Sequence, residues 1–167
     1  ETPNEGAADA ALDIAEAIER CVEERGRCVI GFGAGKGVLE VYDELVRLYF
    51  ADKVSFAKVV AFNISELGFG QQATESQNNF RRLQERLFNK IDIDPSNVYT
   101  IDEGATKENV HRYCKQYETL IDSFGGIDLL VCQLTKNGGL AFNEPGSQST
   151  SSCRLGLLSN DTRQRIA

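Results

Sequence analysis

The sequence predicts a single α/β domain with a mostly parallel sheet that helices cover on both faces. Short apolar runs alternate with longer segments of helical spacing along the chain, and this alternation is typical of parallel sheets. The chain has 167 residues, the size of one domain. Its composition, 41% hydrophobic and 26% charged, is ordinary for a globular protein and argues against a disordered chain.

The first half of the domain is predicted to alternate between helices and strands. Ala11, Ile14, Ile18 and Val22 form an apolar stripe at helical spacing, and Gly26 follows as a helix end. The predicted elements are a tail over 1–6, a helix over 7–25, a strand over 28–32, a helix over 38–50 and a strand over 58–62.

The second half continues the alternation. The Thr-Glu-Ser-Gln sequence at 74–77 is a capping box that opens a third helix. Asn160 and Asp161 are predicted to cap a last helix that is cut off at Ala167. Between them the predicted elements are a strand over 98–101, a helix over 107–124, a strand over 127–132, a polar loop over 135–150 and a fifth strand over 154–158.

Three loops follow predicted strands, at 33–37, 63–73 and 135–146, where open α/β sheets bind ligands. In the first, Gly35, Lys36 and Gly37 are candidate phosphate-binding residues, because glycines before a helix let N–H groups approach an anion. The spacing matches neither a Walker A loop nor GxGxxG. From these residues alone, a phosphate cradle and a plain tight turn are equally open, and Lys36 is slightly favoured as a solvated surface lysine.

Composition excludes several classes of function. The net charge of −7 disfavours nucleic-acid binding, and no apolar run is long enough to span a membrane. The chain has a single histidine, His111, so zinc sites that need paired histidines are excluded. We do not expect His111 to reach the three loops. Five cysteines without a CxxC motif are interpreted as small buried hydrophobic residues in a reducing compartment, and no metal site is predicted.

Several segments resemble the glucosamine-6-phosphate deaminase family. LAFNEPGS, at 140–147, is similar to that family's active-site loop. The similar segments include, in the same order along the chain, VIGFGAGKGVLEVYDEL, VSFAKVVAFNISEL, LFNKIDIDPSNVYTIDEG, YCKQYETLIDSFGGIDLLV and SNDTR. The resemblance runs from about Cys28 to the end. It implies the Rossmann-like three-layer sandwich of the deaminase and 6-phosphogluconolactonase superfamily, a reaction without cofactor, and a domain whose C-terminal part lies beyond this chain.

The chain departs from that family at the positions that carry the chemistry. Ser65 stands where the family has the Asp that moves a proton between carbons. Asn137 replaces a second Asp, and Gly139 replaces the histidine that opens the sugar ring. Glu144 is retained, whereas the first loop lacks both hydroxyl donors of the family's phosphate loop. General acid–base groups are each typically worth 10²–10⁴ in rate, so losing two costs roughly 5–10 kcal/mol, with the lower end safer.

The resemblance and its departures together predict a catalytically inactive deaminase-like protein that serves as a structural or interaction subunit beside other protein subunits. One alternative is a regulator that still binds a hexosamine phosphate through the first loop. Another is an active deaminase or isomerase with a site rebuilt on Glu144 and Glu66. The absence of methionine predicts a processed chain or a fragment. The cysteine content predicts an intracellular, reducing compartment, which is either the cytoplasm or an organelle after removal of a targeting segment.

Overall fold

The computed structural model describes residues 3–67, 78–101, 105–106 and 108–166. Its order of elements confirms the predicted α/β class. The helices are α1 (Pro3–Arg25), α2 (Leu39–Phe50), α3 (Asn79–Arg86), α4 (Val110–Ser123) and α5 (Asn160–Ile166). The strands are β1 (Cys28–Phe32), β2 (Val59–Asn63), β3 (Val98–Tyr99) and β4 (Leu129–Val131). Among the described residues, no helix combines the length and apolar character needed to cross a membrane.

The four strands form one parallel sheet in the order β3-β2-β1-β4. β1 and β2 pair along their whole length, from Cys28 with Val59 to Phe32 with Asn63, and all their residues are buried. From β1 the chain first adds β2 and β3 on one side of the sheet and then adds β4 on the other side, so the strand order reverses between β1 and β4. In open α/β sheets the crevice at such a reversal, beyond the carboxyl ends of the strands, is the usual place for a ligand.

Alternate residues of the two central strands pack against different helices, as the side-chain period of a strand requires. Cys28, Ile30 and Phe32 face the larger core, which α1, α2 and α3 complete. Val29 faces the other side with Val60 and Phe62. The helix on that second side is α4.

Aromatic rings join the second face to α4. Phe62 stacks on Tyr99 with centroids 5.1 Å apart and meets Tyr117 and Phe124 edge-on. The Tyr117 hydroxyl donates to the backbone carbonyl of Asn63 at 2.8 Å. These contacts fix α4 beside the carboxyl ends of β2 and β3.

Several predicted boundaries are wrong. α1 begins at Pro3, earlier than predicted, and β3 and β4 are shorter. α4 begins at Val110, and the predicted start at Lys107 lies outside the described residues. The capping box at 74–77 also lies outside them. α3 is instead capped by Asn78, whose side chain accepts from the Arg81 N–H at 2.7 Å.

The predicted fifth strand is also wrong. Residues 154–158 form neither helix nor strand, and Leu157 is 94% exposed. None of the described strands pairs with this segment, so its β propensity is not expressed. The cap of α5 is Ser159, rather than Asn160 or Asp161, because its hydroxyl accepts from the Thr162 N–H at 3.2 Å.

Candidate functional site

The loops after β1, β2 and β4 emerge at one edge of the sheet because the strands are parallel. They comprise residues 33–37, 64–67 and 132–146 among those described. The remaining part of the predicted second loop, 68–73, lies outside the described residues. This end of the sheet, at the carboxyl ends of the strands, is where the sequence predicts a ligand site.

The first loop is held in place from three sides. The Gly33 N–H donates to the Val131 carbonyl at 2.8 Å, which ties the loop to β4. The buried Tyr42 hydroxyl donates to the Gly33 carbonyl at 2.5 Å. Arg82 donates to the Ala34 carbonyl at 2.9 Å. The loop conformation is therefore set by contacts with β4, α2 and α3.

Gln133, two residues after the end of β4, contacts this loop. Its side-chain oxygen accepts the Gly37 N–H at 3.1 Å. A Cβ atom at Gly35 would come within 2.7 Å of the same oxygen, and one at Gly37 within 3.0 Å of the Gln133 Cδ. These two predicted phosphate-binding glycines thus make room for a glutamine side chain, while Lys36 is exposed. Sequence reasoning missed Gln133, for which the only signal was its position at the end of a strand.

In the second loop, the carboxylate of Glu66 accepts hydrogen bonds from neighbouring protein groups and is not free to accept a proton from a ligand. Both of its carboxylate oxygens are engaged, at distances of 2.9–3.2 Å. The donors are the backbone N–H groups of Leu67, Asn79 and Phe80 and the side-chain amide of Asn63. Ser65 lies beside it, and its hydroxyl contacts the Asn79 amide at 3.5 Å. Glu66 therefore anchors the start of α3.

The third loop closes around Gly139. The Asn137 side-chain oxygen accepts from the Thr135 hydroxyl at 2.6 Å and from the Gly139 N–H at 3.3 Å. Gly139 is buried, and a Cβ atom there would lie 2.9 Å from the Thr135 hydroxyl and 3.1 Å from the Asn143 carbonyl. The loop therefore leaves no room for a larger side chain at Gly139 without moving these groups.

Glu144 connects the third loop to α5. One carboxylate oxygen accepts from the Asn137 side-chain amide at 3.3 Å. The other accepts from the Ser159 N–H and hydroxyl, each at 3.1 Å. Hydrogen bonding to the Thr162 hydroxyl, and then to the Ser159 N–H, holds the pKa of Glu144 below its usual value. A carboxylate with a lowered pKa is a weaker base, so these contacts favour a structural role for the ionised group.

The predicted residues fall into separate groups. Asn137, Gly139 and Glu144 form one connected network. Within the described ranges, no hydrogen bond joins Ser65 or Glu66 to that network. His111 is exposed on α4. A cavity of about 140 Å³ beside α4, whose lining includes Tyr117 and Leu120, is smaller than the usual ligand pocket of roughly 300 Å³ or more.

The interpretation of the cysteines is wrong for four of five. All five are free thiols, but only Cys28 is buried, and the others are partly exposed. That no metal site exists stays a prediction, although the structure shows one group of potential ligands among the residues it describes. Folding brings Cys21, Cys28 and Asp128 together although they are far apart in sequence, a proximity that motif spacing does not reveal.

Known proteins share the sequence pattern. The family described as "Glucosamine-6-phosphate isomerases/6-phosphogluconolactonase" matches residues 1–138. A glucosamine-6-phosphate deaminase-like protein of Bacteroides thetaiotaomicron is 39% identical over 168 residues, which cover 100% of this chain and 25% of that protein. A glucosamine-6-phosphate deaminase of Caenorhabditis elegans is 36% identical over 159 residues, 95% of this chain and 58% of that protein.

Solved structures share the fold. A monomeric glucosamine-6-phosphate deaminase superposes with a TM-score of 0.87 at 27% identity, covering 99% of this chain and 66% of that one. A 6-phosphogluconolactonase of Thermotoga maritima gives a TM-score of 0.66 at 25% identity, covering 81% of this chain and 59% of that one. The chain thus spans between a quarter and two thirds of the length of the proteins it resembles.

Proposed function

The chain belongs to the family of glucosamine-6-phosphate isomerases and 6-phosphogluconolactonases, and on that premise we propose that it is a deaminase-like protein without turnover. Its role in this proposal is that of a structural or interaction subunit in a larger assembly. The relatives named as deaminases support the family assignment, and the side chains in the loops after β1, β2 and β4 support the absence of turnover.

The observation that carries the proposal is the position of Gln133. Its side-chain oxygen accepts the Gly37 N–H in the crevice between β1 and β4. A sugar phosphate would need backbone N–H groups of this kind to bind its phosphate oxygens. Because a neutral side chain of the protein already accepts this donor, an incoming phosphate has to displace it.

The acid–base groups support the same conclusion. Among the described residues around Ser65, no free base is present to remove a proton from its hydroxyl, since both oxygens of Glu66 accept other donors. Asn137 does not titrate, and Gly139 offers no side chain. Glu144 has a lowered pKa and binds the start of α5. A proton transfer between carbons requires a base poised near the working pH, and none of these residues supplies one.

The β4 side of the sheet supports an interaction role. β4 is an edge strand among the described strands, and Leu130 at its centre is 45% exposed. Leu134, just beyond the strand, is 68% exposed. Edge strands with exposed apolar residues are stabilised when another chain segment or subunit covers them.

An active deaminase is the second candidate, because the relatives carry that name and Glu144 is retained. The experiment that separates the candidates measures both ammonia release and binding heat with glucosamine 6-phosphate. We expect neither from the wild-type chain. Ammonia above the enzyme-free blank would establish the active candidate, and a saturating isotherm without ammonia would establish a sugar-phosphate-binding regulator.

A variant pair tests the part played by Gln133. Gln133→Ala frees the Gly37 N–H, so we expect weak binding of glucosamine 6-phosphate, in the millimolar range that a few recovered hydrogen bonds support, and no ammonia. The control Gln148→Ala removes an exposed glutamine from the following loop and leaves the crevice unchanged. Equal absence of binding in both variants would contradict the role given to Gln133.

The subunit role has its own test. Sedimentation over a range of dilutions is expected to show association of the chain with itself or with added partner subunits. A monomer that remains folded and unassociated at every concentration would contradict obligate partnership. That outcome would leave the conclusion on turnover unaffected, because the two measurements are independent.

A further inference from the structure

Two cysteines and an aspartate meet at the opposite end of the sheet from the loops. Cys21 lies in the last part of α1, Cys28 begins β1, and Asp128 precedes β4. The two sulfur atoms and a carboxylate oxygen all lie within 4.8 Å of one another. Neither the proposed function nor the site at the other edge uses this cluster.

Arg25 places a positive charge beside the cluster. Its guanidinium lies 2.5 Å from a carboxylate oxygen of Asp128 and donates to the Cys21 sulfur at 3.6 Å. The other Asp128 oxygen accepts the Val29 N–H at 2.8 Å. The Arg25 guanidinium is therefore a hydrogen-bond donor placed against the Cys21 sulfur.

The two thiols differ in access. Cys21 is partly exposed, and the Arg25 side chain beside it is 50% exposed, so this side of the cluster borders solvent. Cys28 is 0% exposed and is reached only from within the cluster. Burial, followed by the hydrogen bond with Cys21, raises the pKa of the Cys28 thiol to about 12. An oxidant dissolved in the solvent therefore meets Cys21 first, and the partner within reach of the buried Cys28 sulfur is the Cys21 sulfur.

A metal ion fits the cluster less well than oxidation does. Two thiols and a carboxylate are a donor set that zinc accepts. However, both Asp128 oxygens already accept hydrogen bonds, and the Arg25 charge lies where a cation would bind. A bound cation would have to displace the guanidinium against its ion pair.

We propose that Cys21 and Cys28 form a peroxide-responsive dithiol site. The Cys21 sulfur attacks hydrogen peroxide and takes up one oxygen as the O–O bond breaks, and the released hydroxide takes the Cys21 thiol proton and leaves as water. The Cys28 sulfur then attacks the sulfenic acid sulfur, the S–S bond forms as the S–O bond breaks, and the leaving hydroxyl takes the Cys28 thiol proton and departs as a second water. In sum, two thiols are oxidised to one disulfide while one hydrogen peroxide is reduced to two waters.

Peptide mapping tests the site directly. Trypsin cleaves after Arg20, Arg25, Arg27 and Lys36, so Cys21 and Cys28 fall in the separate peptides 21–25 and 28–36. After treatment of the reduced chain with hydrogen peroxide, we expect these two peptides to appear joined, and a reducing agent to separate them. Peptide 116–136, which carries Cys132, serves as the internal reference and is expected to keep its free thiol.

Variants assign the roles of the two sulfurs. In Cys28→Ala, the Cys21 sulfenic acid has no resolving thiol, so we expect a sulfenic-acid probe to label peptide 21–25. In Cys21→Ser, we expect Cys28 to stay unoxidised, because no peroxide reaches it. Cys21 is partly exposed, so its conservative replacement keeps the test usable if the buried Cys28 variant fails to fold.

Arg25→Gln tests the activation of Cys21. We expect the rate of Cys21 oxidation to fall about two- to fivefold, the effect of losing an exposed charge contact. The matched control Arg20→Gln removes a positive charge from an exposed position on the same helix and is expected to leave the rate unchanged.

Three results would overturn the proposal. The joined peptides could be missing while peptide 116–136 is oxidised, which would show that the two thiols are less reactive than an ordinary one. Cys28 could be oxidised as fast in Cys21→Ser as in the wild type. One equivalent of Zn²⁺ could bind the reduced chain and protect both thiols, which would make the cluster a metal site.

Discussion

The two central strands and the segment of residues 132–159 are held by different forces. In β1 and β2 every residue is buried, and the side chains pack against helices on both faces of the sheet. In the segment most residues are exposed, and single polar side chains such as Asn137 and Glu144 fix the backbone. Packing in the strands is collective, whereas order in the segment depends on a few hydrogen bonds.

This difference explains how a fold can be kept while its chemistry changes. Burial of apolar surface tolerates substitutions of similar volume, so a sheet survives considerable divergence. A hydrogen-bonded loop changes with one side chain, as the fit of Thr135 and Asn143 around Gly139 illustrates. The candidate site is therefore the part of the molecule where a single substitution changes the available chemical groups most.

The largest effect is expected in the strands. Phe62 is 0% exposed and contacts three other aromatic rings. Phe62→Ala should lower the free energy of unfolding by about 3–5 kcal/mol, since it removes these contacts and leaves a cavity. Urea unfolding followed by circular dichroism measures the change. The control in the segment is Leu157→Ala, at a residue that is 94% exposed, with an expected change within about 0.5 kcal/mol. A large loss in the control would mean that the segment is packed against something after all.

A smaller effect is expected from crowding the third loop. Gly139→Ala places a Cβ atom 2.9 Å from the Thr135 hydroxyl and 3.1 Å from the Asn143 carbonyl. We expect a loss of about 1–2 kcal/mol, as in other overpacked sites, or a local opening of the loop. Hydrogen exchange of the Leu140 and Asn143 amides, which bond to each other's carbonyls, reports the opening.

Gly156→Ala is the matched control in the same segment, because nothing lies within 4 Å of its Cβ position. We expect unchanged exchange and unchanged stability. If Gly139→Ala behaves like this control, the third loop is looser than the contacts around Gly139 indicate, and the contrast between the two regions becomes sharper.

The sequence predicted the parts of the molecule that burial determines. The bounds of β1, 28–32, are correct, and the strand at 58–62 is shifted by one residue. Both are apolar runs, and their burial needs no knowledge of the rest of the chain. The stripe of Ala11, Ile14 and Ile18 is buried as its spacing predicts. In such elements local pattern and tertiary packing favour the same structure.

The parts determined by contacts between distant residues were not predictable. Residues 154–158 have a strand-like composition but no partner strand. Gln133 bonds to Gly37, and Cys21 meets Asp128, across long separations in sequence that no motif encodes. At the candidate site, the family resemblance identified Ser65, Asn137, Gly139 and Glu144. The structure joins the last three by hydrogen bonds, whereas Ser65 bonds to Asn79. It did not indicate that Glu144 would bind the start of α5.

Hydrogen bonds beside the core allow the contribution of polar contacts to stability to be compared between the core and the segment of residues 132–159. Asp92 accepts the Phe56 N–H at 2.7 Å and the Ser55 hydroxyl at 2.6 Å, just before β2. Asp92→Ala should lower the free energy of unfolding by about 1 kcal/mol, because a partly buried N–H loses its acceptor. Asp92→Asn keeps one acceptor oxygen, so its loss should be smaller. Equal losses in the two variants, measured by urea unfolding, would show that the charge rather than the acceptor matters.

The smallest effect on the whole molecule, and a purely local one, is expected at Glu144. Its pKa lies below the ordinary value of 4.5 in the folded chain, chiefly because the Thr162 hydroxyl and the Ser159 N–H donate to it. A carboxylate of this kind contributes stability that is fully present above the ordinary pKa and is lost as the pH falls through the folded-state pKa. Protection of the Thr162 and Arg163 amides, both of which bond to Ser159, should therefore decrease in acid while β1 keeps its protection.

In Glu144→Gln the α5 amides should be less protected at neutral pH and should lose this acid dependence, because the side chain no longer titrates. An acid dependence that persists in the variant would assign the effect to another carboxylate, and loss of β1 protection at the same pH would show that the segment and the sheet unfold as one unit.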